Sequence, residues 1–462
     1  MIQVRTAWPW LRLLGGVLAL SLVWGASGAR AVDLPPVAPA AGAPQDVRLD
    51  NGLRLVYQYN PASPVVAVCV FVHTSAAQET FNSAGVRELL QFMGERTMVR
   101  SGAPAEALPP VFDLTTSVSR DYAEMVALCL PADLVPVLGR LRSALFDPVF
   151  DDEALQFAQT RLLQEVQARQ SVAPAMAQDV LVARLYPQWP GSWPLVGNGA
   201  ATWVDLDYAR QFHARHYLSN QTLVAVAGPL PWEGLRADVE KAFGSLLPGK
   251  QERLLPPPVG AAPGDRLTEL RMPGSPVSTV VIGARAPALV DADYPTASVL
   301  MALLGNGRGS RLYHRLREEA SLSYSLEAGV TPSQVCPYMY ALANCEAREV
   351  PQVRQVLEEE IARLAQTLPT EEELGRARQL VWGQYLLQQQ DNQQLSHFIG
   401  LFSLLVGEEG PARWSALPLR LAAVRPEQVQ ALARTAWAQP LVVTVTGAAG
   451  GTTQSQAPVG DL

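Results

Sequence analysis

The chain has 462 residues, of which 48% are hydrophobic and 17% charged, and its formal net charge is -7 at pH 7. This length exceeds what a single hydrophobic core usually serves, so it favours two domains. The negative charge argues against a surface that binds nucleic acid, and we predict no nucleic-acid partner.

The first 31 residues are typical of a secretory signal peptide. Arg5 and Arg12 precede the apolar run "LLGGVLALSLVW", and Ala29-Arg30-Ala31 gives a small-x-small pattern that predicts cleavage after Ala31. The alternative is an uncleaved membrane anchor, because the uncharged run 13–29 is at the short end for a membrane span. We therefore predict a periplasmic or secreted protein, which contacts a membrane only if this segment stays uncleaved.

Two proline-rich segments divide the rest of the chain. Three consecutive prolines in "LLPPPVGAAPGD" cannot lie inside a helix or a central strand, so they mark a boundary. The predicted divisions are a linker at 32–45, a first domain at 46–250, a proline-rich linker at 251–265, a second domain at 266–447 and a disordered tail at 448–462.

The two halves share a sequence of elements. A hairpin with its turn at Asp50-Asn51-Gly52 precedes a strand-like run at 63–75, and a helical stretch follows. "SPVVAVCVFVH" and "SPVSTVVIGAR" begin at Ser63 and Ser275, 212 residues apart. This repetition indicates a duplicated domain. We predict an α+β fold of two homologous domains, each a mostly antiparallel sheet covered by helices.

Four cysteines leave the redox state open. They are Cys69, Cys129, Cys336 and Cys345, and an exported chain could pair them. Cys69 and Cys129 lie in strand-like segments, which favours buried thiols. The sequence contains no C-x-x-C, so a cysteine metal site is not predicted.

The order of segments carries a family resemblance. "LDNGLRLV", the strand, "AAQE" and "GVRELLQFMGERT" at 85–97 are followed by "DDEALQFAQTRLLQEV" and, in the second half, by "LLGNGRGSRLYHRLREEASLSYSLEAG". This order resembles the insulinase/pitrilysin-type peptidases, the inverted zincins, across about residues 45–447. It is also similar to mitochondrial processing peptidase and to the core proteins of the respiratory cytochrome complex. The resemblance implies that each domain is part of a clam-shell half that encloses a peptide.

Only the zinc motif departs from the family pattern. An inverted zincin needs H-x-x-E-H on a helix, with two imidazoles for zinc and a glutamate that deprotonates the metal-bound water. The three positions hold Glu88, Gln91 and Phe92. Glu88 is a poor replacement for a neutral imidazole, Gln91 cannot accept a proton, and Phe92 has no lone pair.

Two downstream positions of the chain correspond to further residues of the family's zinc site. The family's third ligand corresponds to Glu165, and the glutamate that supports it corresponds to Ala158. The spacing of His213 and His216 could place both on one helix face, but we interpret them as surface residues before a strand. We predict no catalytic residue and no bound metal in this chain.

The second half retains a pair that the resemblance associates with substrate. Arg317 and Tyr324 in "RLREEASLSY" match an Arg/Tyr pair that reaches the zinc domain in active family members. That pair holds the substrate backbone and stabilises the oxyanion of the transition state, which suits a permanent cation and a hydroxyl donor. The alternative is that Arg317 is a solvated helix residue and Tyr324 a core aromatic.

Together these features predict the non-catalytic, substrate-binding subunit of an exported, heterodimeric zinc peptidase. Its partner would be a homologous subunit that carries H-x-x-E-H and the zinc, and its substrate an unfolded peptide. We expect no activity from this chain alone. One alternative is a peptide-binding or scaffold protein without an enzymatic partner, and another is an active peptidase with an unusual set of metal ligands.

Overall fold

A computed structural model describes residues 42–100, 112–187, 189–194, 197–250 and 264–447. The predicted signal peptide, most of both predicted linkers and the predicted tail lie outside these residues. Within the described ranges, no helix combines the length and apolar character that crossing a membrane requires.

The first half is built on a six-stranded sheet whose strands have the order β1-β2-β6-β3-β5-β4. Its strands are β1 (Gln45–Arg48), β2 (Arg54–Tyr59), β3 (Val66–Val72), β4 (Phe112–Val118), β5 (Ala123–Cys129) and β6 (Thr222–Gly228). The predicted hairpin joins β1 to β2, and Gly52 in its turn has φ +84, a conformation that favours glycine. The run predicted as a core strand is β3, which is fully buried between β6 and β5.

Seven helices accompany this sheet among the described residues. They are α1 (Val86–Arg100), α2 (Leu134–Phe146), α3 (Asp152–Gln170), α4 (Ala173–Leu185), α5 (Gly199–Trp203), α6 (Leu206–His216) and α7 (Trp232–Phe243). The acidic first turn of α3 follows the side chain of Asp151, which accepts a hydrogen bond from the Ala154 backbone N–H and so caps the helix.

The second half is built on a five-stranded sheet with the order β7-β11-β8-β10-β9. Its strands are β7 (Leu267–Arg271), β8 (Ser278–Arg285), β9 (Ser325–Val330), β10 (Tyr338–Cys345) and β11 (Leu441–Thr446). Its α-helices are α8 (Tyr294–Gly305), α9 (Val350–Gln366), α10 (Glu371–Gln390), α11 (Asn392–Val406), α12 (Gly410–Ala422) and α13 (Pro426–Ala436).

The sheets repeat one topology. In the first, β2 runs parallel to β6 and the remaining pairs are antiparallel; in the second, β7 runs parallel to β11 and the remaining pairs are antiparallel. The two segments that share the "SPV" start form β3 and β8, which occupy equivalent positions. The predicted fold of two homologous, mostly antiparallel α+β units is confirmed.

One helix from each half of the chain packs on the sheet of the other half. Helix α4 packs on β8 and β11, and α11 packs on β2, β3 and β6. Both contacts depend on glycine, because a Cβ on Gly283 would lie 2.5 Å from the Leu181 side chain, and a Cβ on Gly400 would lie 2.3 Å from the Phe71 ring. The exchange joins the halves through two apolar clusters that contain residues of both.

All four cysteines are free and buried. Three lie in strands, at Cys69 in β3, Cys129 in β5 and Cys345 in β10. Burial raises the pKa of the Cys129, Cys336 and Cys345 thiols to about 12, so they remain protonated and unreactive at neutral pH. The interpretation as buried thiols is confirmed.

Candidate functional site

The motif helix begins at a turn that only glycine fits. Gly85 has φ +93, and a Cβ at this position would lie 2.6 Å from the carbonyl oxygen of Gly197. The carboxylate of Glu79 accepts hydrogen bonds from the Gly85 N–H at 3.0 Å and from Arg87 Nε at 2.8 Å. Arg87 is fully buried and also donates to the carbonyl oxygen of Thr74 at 3.0 Å. The start of α1 is therefore fixed by a buried ion pair.

The three motif positions have different surroundings. Glu88 is partly buried. Gln91 is 1% exposed, and neither its amide oxygen nor its amide nitrogen has a hydrogen-bond partner among the described residues. Phe92 is fully buried, and the guanidinium of Arg161 lies 4.6 Å from its ring centroid. These positions remain on one face of α1, because residues three and four apart in a helix are neighbours.

Helix α3 lies antiparallel to α1. Arg161 of α3 covers Phe92, while Arg96 of α1 lies 5.1 Å from the ring centroid of Phe157, one turn back along α3. Continuing this register by one turn in the other direction places Glu165 opposite Glu88. The structure therefore brings the first motif position and the predicted third-ligand position to the same place.

The surroundings of Glu88 change its protonation. Burial, and then the negative charge of Glu165, raise the pKa of Glu88 to about 8. Glu88 is therefore mostly protonated at neutral pH.

These residues do not fit a catalytic zinc ion. Zinc in such sites is held by three protein ligands, usually including imidazoles, and a general base acts on its water. The positions here offer two carboxylates, an amide and a phenyl ring, and Ala158 stands fully buried where a supporting glutamate would be. Within the described ranges, no group of three or more His, Cys, Asp or Glu residues could hold a metal ion.

The interpretation of His213 and His216 as surface residues is wrong. Both are buried, at 9% and 7% exposure. His213 Nε2 lies 2.7 Å from the carbonyl oxygen of Leu145, and its ring stacks on Tyr217 at a centroid distance of 4.6 Å. The His216 ring packs on Phe212 at 4.3 Å. Burial lowers the pKa of His213, which keeps it neutral in this aromatic packing.

Arg317 and Tyr324 lie together on the surface of the second half. Both are exposed, and the Tyr324 side chain is 78% exposed, so the alternative of a core aromatic is wrong. Arg317 Nη1 donates to the carbonyl oxygen of Tyr324 at 3.4 Å, and its guanidinium lies 5.2 Å from the Tyr313 ring centroid. These contacts hold the Arg317 guanidinium against the Tyr313 ring and the backbone of Tyr324, and both Arg317 and Tyr324 stay exposed.

The backbone around this pair is unusual. Arg317 belongs to a π-helical segment, Tyr313–Glu319, and Ser321 has φ +53, which is rare outside glycine. π-Helical turns and positive-φ residues are found preferentially at functional sites, because they cost free energy that ordinary packing does not need. Buried Ser323 stabilises the following turn by donating to the carbonyl oxygen of Asn344 at 2.7 Å.

Sequence reasoning missed Arg87. It stands one residue before the first motif position and pairs with Glu79 at 2.8 Å. The available signal was an arginine amid the apolar residues of an otherwise buried helix face, since such a residue is rarely buried without a partner.

Comparison with known proteins gives a consistent result. A family model described as the Peptidase M16 inactive domain matches residues 204–381. An uncharacterized zinc protease of Mycobacterium tuberculosis is 26% identical over 415 residues, which cover 86% of this chain and 92% of that protein. A probable mitochondrial-processing peptidase subunit beta of Schizosaccharomyces pombe is 24% identical over 56% of this chain and 58% of its own length.

A solved structure confirms the fold. The crystal structure of a peptidase M16 inactive domain from Pseudomonas fluorescens superposes with a TM-score of 0.77 at 18% identity, and covers 88% of this chain and 98% of that one. The motif positions separate this chain from catalytic relatives, because they lack both the imidazole ligands and the base. Over most of its length the chain is similar to peptidases of the M16 family, the insulinase/pitrilysin type, and it lacks their H-x-x-E-H motif, which supports a non-catalytic peptidase homologue.

Proposed function

We propose that this protein is the non-catalytic, substrate-binding subunit of an exported, heterodimeric zinc peptidase. Its partner is a homologous subunit with an intact H-x-x-E-H motif, and the zinc lies on that partner. Arg317 and Tyr324 face the partner's zinc site, where they hold the peptide backbone and stabilise negative charge on the reacting carbonyl oxygen.

The exposed Arg317/Tyr324 pair carries this proposal. Arg317 and Tyr324 are both exposed and are joined by a hydrogen bond from the guanidinium to the Tyr324 backbone carbonyl oxygen, next to the positive-φ residue Ser321, while the chain's own motif positions cannot activate water. Two donors aimed at a developing oxyanion contribute to catalysis only beside a nucleophile. Since this chain supplies none at its motif positions, the pair is useful where a second subunit supplies it.

The sheet edges support a peptide as substrate. Strands β4 and β9 lie at the ends of their sheets, and neither has a second strand partner among the described residues. An edge strand presents unpaired N–H and C=O groups to which an extended peptide can add by backbone hydrogen bonds. Such binding recognises an unfolded segment more than a particular sequence.

The proposal that the protein is exported rests on the first 31 residues, whose charge and apolar pattern are typical of a secretory signal. Fractionation of cells that express the full chain tests this part. A mature protein in the periplasm or medium that begins after Ala31 supports it, and an intact chain in the cytoplasm contradicts it.

Reconstitution tests the function. The motif-bearing homologue, this chain and the mixture are each assayed on an unfolded peptide, with and without a zinc chelator. The proposal expects cleavage by the mixture that far exceeds the sum of the separate chains and that the chelator stops. Chelator-sensitive cleavage by this chain alone contradicts it, and so does full activity of the homologue alone.

A further inference from the structure

We propose that Glu360 is a positioning residue for Arg317: through Arg315, it fixes the backbone segment that presents the Arg317 guanidinium. The catalytic consequence of this inference rests on the proposed function, since it takes Arg317 as the group that acts at the partner's zinc site. Glu360 lies on α9, outside the segment that contains Arg317 and Tyr324.

Glu360 is an acidic residue on the buried face of α9. Its side chain is 1% exposed, and Glu360 Oε2 has no hydrogen-bond partner among the described residues. The other buried residues of this helix are apolar: Val350, Val353, Leu357, Ile361 and Leu364. Glutamate is almost never fully buried unless it is paired, so the partner of Glu360 indicates what this carboxylate does.

The nearest partner of Glu360 is Arg315, which belongs to the π-helical segment Tyr313–Glu319. Arg315 Nη1 donates to Glu360 Oε1 at 2.7 Å, and Arg315 Nη2 donates to the exposed Glu359 at 3.0 Å. Arg363 lies 3.2 Å from the same oxygen of Glu360, but its side chain is 54% exposed. Ion pairs on the surface contribute little, whereas a buried charge that loses its partner is costly. The bond to Glu360 is therefore the main anchor of Arg315 on α9.

Arg315 also closes the π-helical turn through its backbone. The Ala320 N–H donates to the carbonyl oxygen of Arg315 at 3.2 Å, five residues back along the chain. The N–H groups of Leu322 and Ser323 donate to the carbonyl oxygen of Leu316 at 2.8 and 3.3 Å. A π-helical turn is rare and costs free energy, so tertiary contacts have to hold it. Arg315 is held by α9 and Leu316 by the apolar core, and these two adjacent anchors fix the rotation of the segment.

Arg317 depends on this anchoring because its own contacts are local. Its side chain is exposed, and its guanidinium contacts the Tyr313 ring at 5.2 Å and the carbonyl oxygen of Tyr324 at 3.4 Å. Both contacts lie within the same stretch of chain, so they move with the segment. A donor acts on an oxyanion only at the right position, and a displacement of about 1 Å can cost about a hundredfold in rate. The bond between Glu360 and Arg315 therefore determines where the Arg317 guanidinium stands.

The first test is hydrogen–deuterium exchange of the purified lone chain, measured on peptides that span residues 313–324. Glu360→Gln should speed exchange of the amides that close the segment by about tenfold, because it weakens the contact that holds them. The matched control is Glu358→Gln, which makes the same charge change at an exposed position of α9 and should leave this exchange unaltered. Unchanged exchange in Glu360→Gln overturns the inference.

The second test is a double-mutant cycle on kcat of the reconstituted heterodimer. Glu360→Gln should lower kcat by about tenfold in the wild-type background and should lower it no further when Arg317→Ala is already present. The reason is that a residue that acts through Arg317 has nothing left to position once the guanidinium is gone. An equal loss of kcat in both backgrounds overturns the inference, because general destabilisation of the second half would produce that result.

A variant of the other partner protects both tests against misfolding of Glu360→Gln. Arg315→Lys keeps the positive charge at a side chain that is 25% exposed, so the chain folds. A single ammonium cannot reproduce the planar fork that bonds Glu359 and Glu360 together. Arg315→Lys should therefore show the same faster exchange and the same loss of kcat. Wild-type exchange and wild-type kcat in this variant overturn the inference.

The inference and the proposed function fail separately. Faster exchange at residues 313–324 in Glu360→Gln, with no effect of Arg317→Ala on kcat, leaves the anchoring of Arg317 standing and removes its role at a partner's zinc site. A loss of kcat in Arg317→Ala, with no effect of Glu360→Gln on exchange or on kcat, does the opposite.

Discussion

Replacing Glu88 by glutamine is expected to stabilise the protein at neutral pH. Burial and the charge of Glu165 raise the pKa of Glu88 to about 8, whereas its ordinary value is 4.5. Between these values the folded state holds a proton that the unfolded state has lost, so stability falls as the pH rises. At about 1.4 kcal/mol per pH unit, the interval from 4.5 to pH 7 gives roughly 3 kcal/mol. Solvent at the partly exposed carboxylate makes this an upper limit.

The assay is thermal unfolding of the wild type and of Glu88→Gln from about pH 4 to pH 8.5. Below the ordinary pKa the two melting temperatures should agree closely, because Glu88 is protonated in both states. The variant should gain steadily as the pH rises and level off above about pH 8. Glu427→Gln, on the exposed surface of α13, should show no such gain. A difference in melting temperature between Glu88→Gln and wild type that does not change with pH would contradict a raised pKa of Glu88.

Two further predictions concern packing. Arg87→Met leaves Glu79 buried without its cation and should destabilise the protein by about 3–5 kcal/mol, as measured by chemical denaturation. Adding Glu79→Gln to this variant should restore part of the lost stability. No recovery in the double variant would contradict the ion pair. Gly400→Ala places a methyl group 2.3 Å from the Phe71 ring and should cost about 1–3 kcal/mol. Gly375→Ala on α10, where the added methyl group meets nothing within 4 Å, should instead stabilise the protein by a few tenths of a kcal/mol to about 1 kcal/mol through helix propensity. An equal change in the free energy of unfolding for both variants would contradict the packing of α11 on the first sheet.

Local sequence patterns predicted most of the fold, because the signals for each helix, strand and turn lie within the residues that form it. The turn at Gly52, the fully buried strand β3 and the capped helix α3 all lie where their residues predict them. The loss of the zinc motif could also be predicted from the sequence, because zinc binding depends on the residue types and on their spacing along one helix.

Tertiary packing was not accessible in this way. Helical periodicity identifies an apolar face but not the sheet that covers it, so the placement of α4 and α11 on the opposite half could not be anticipated. The same limit explains His213 and His216, whose polar side chains suggested the surface although aromatic rings surround them. The raised pKa of Glu88 depends first on burial and then on the charge of Glu165, which is distant in the chain and opposite Glu88 only after folding.

The proposed function requires that Arg317 acts on the zinc site of another subunit. The most direct measurement is kcat of the reconstituted heterodimer with wild-type chain, with Arg317→Ala and with Arg348→Ala, an arginine whose side chain is 78% exposed in the same half. We predict that Arg317→Ala lowers kcat by about a hundredfold while the two subunits still associate, and that Arg348→Ala leaves it unchanged. An unaltered kcat for Arg317→Ala in a fully assembled heterodimer would contradict the claim.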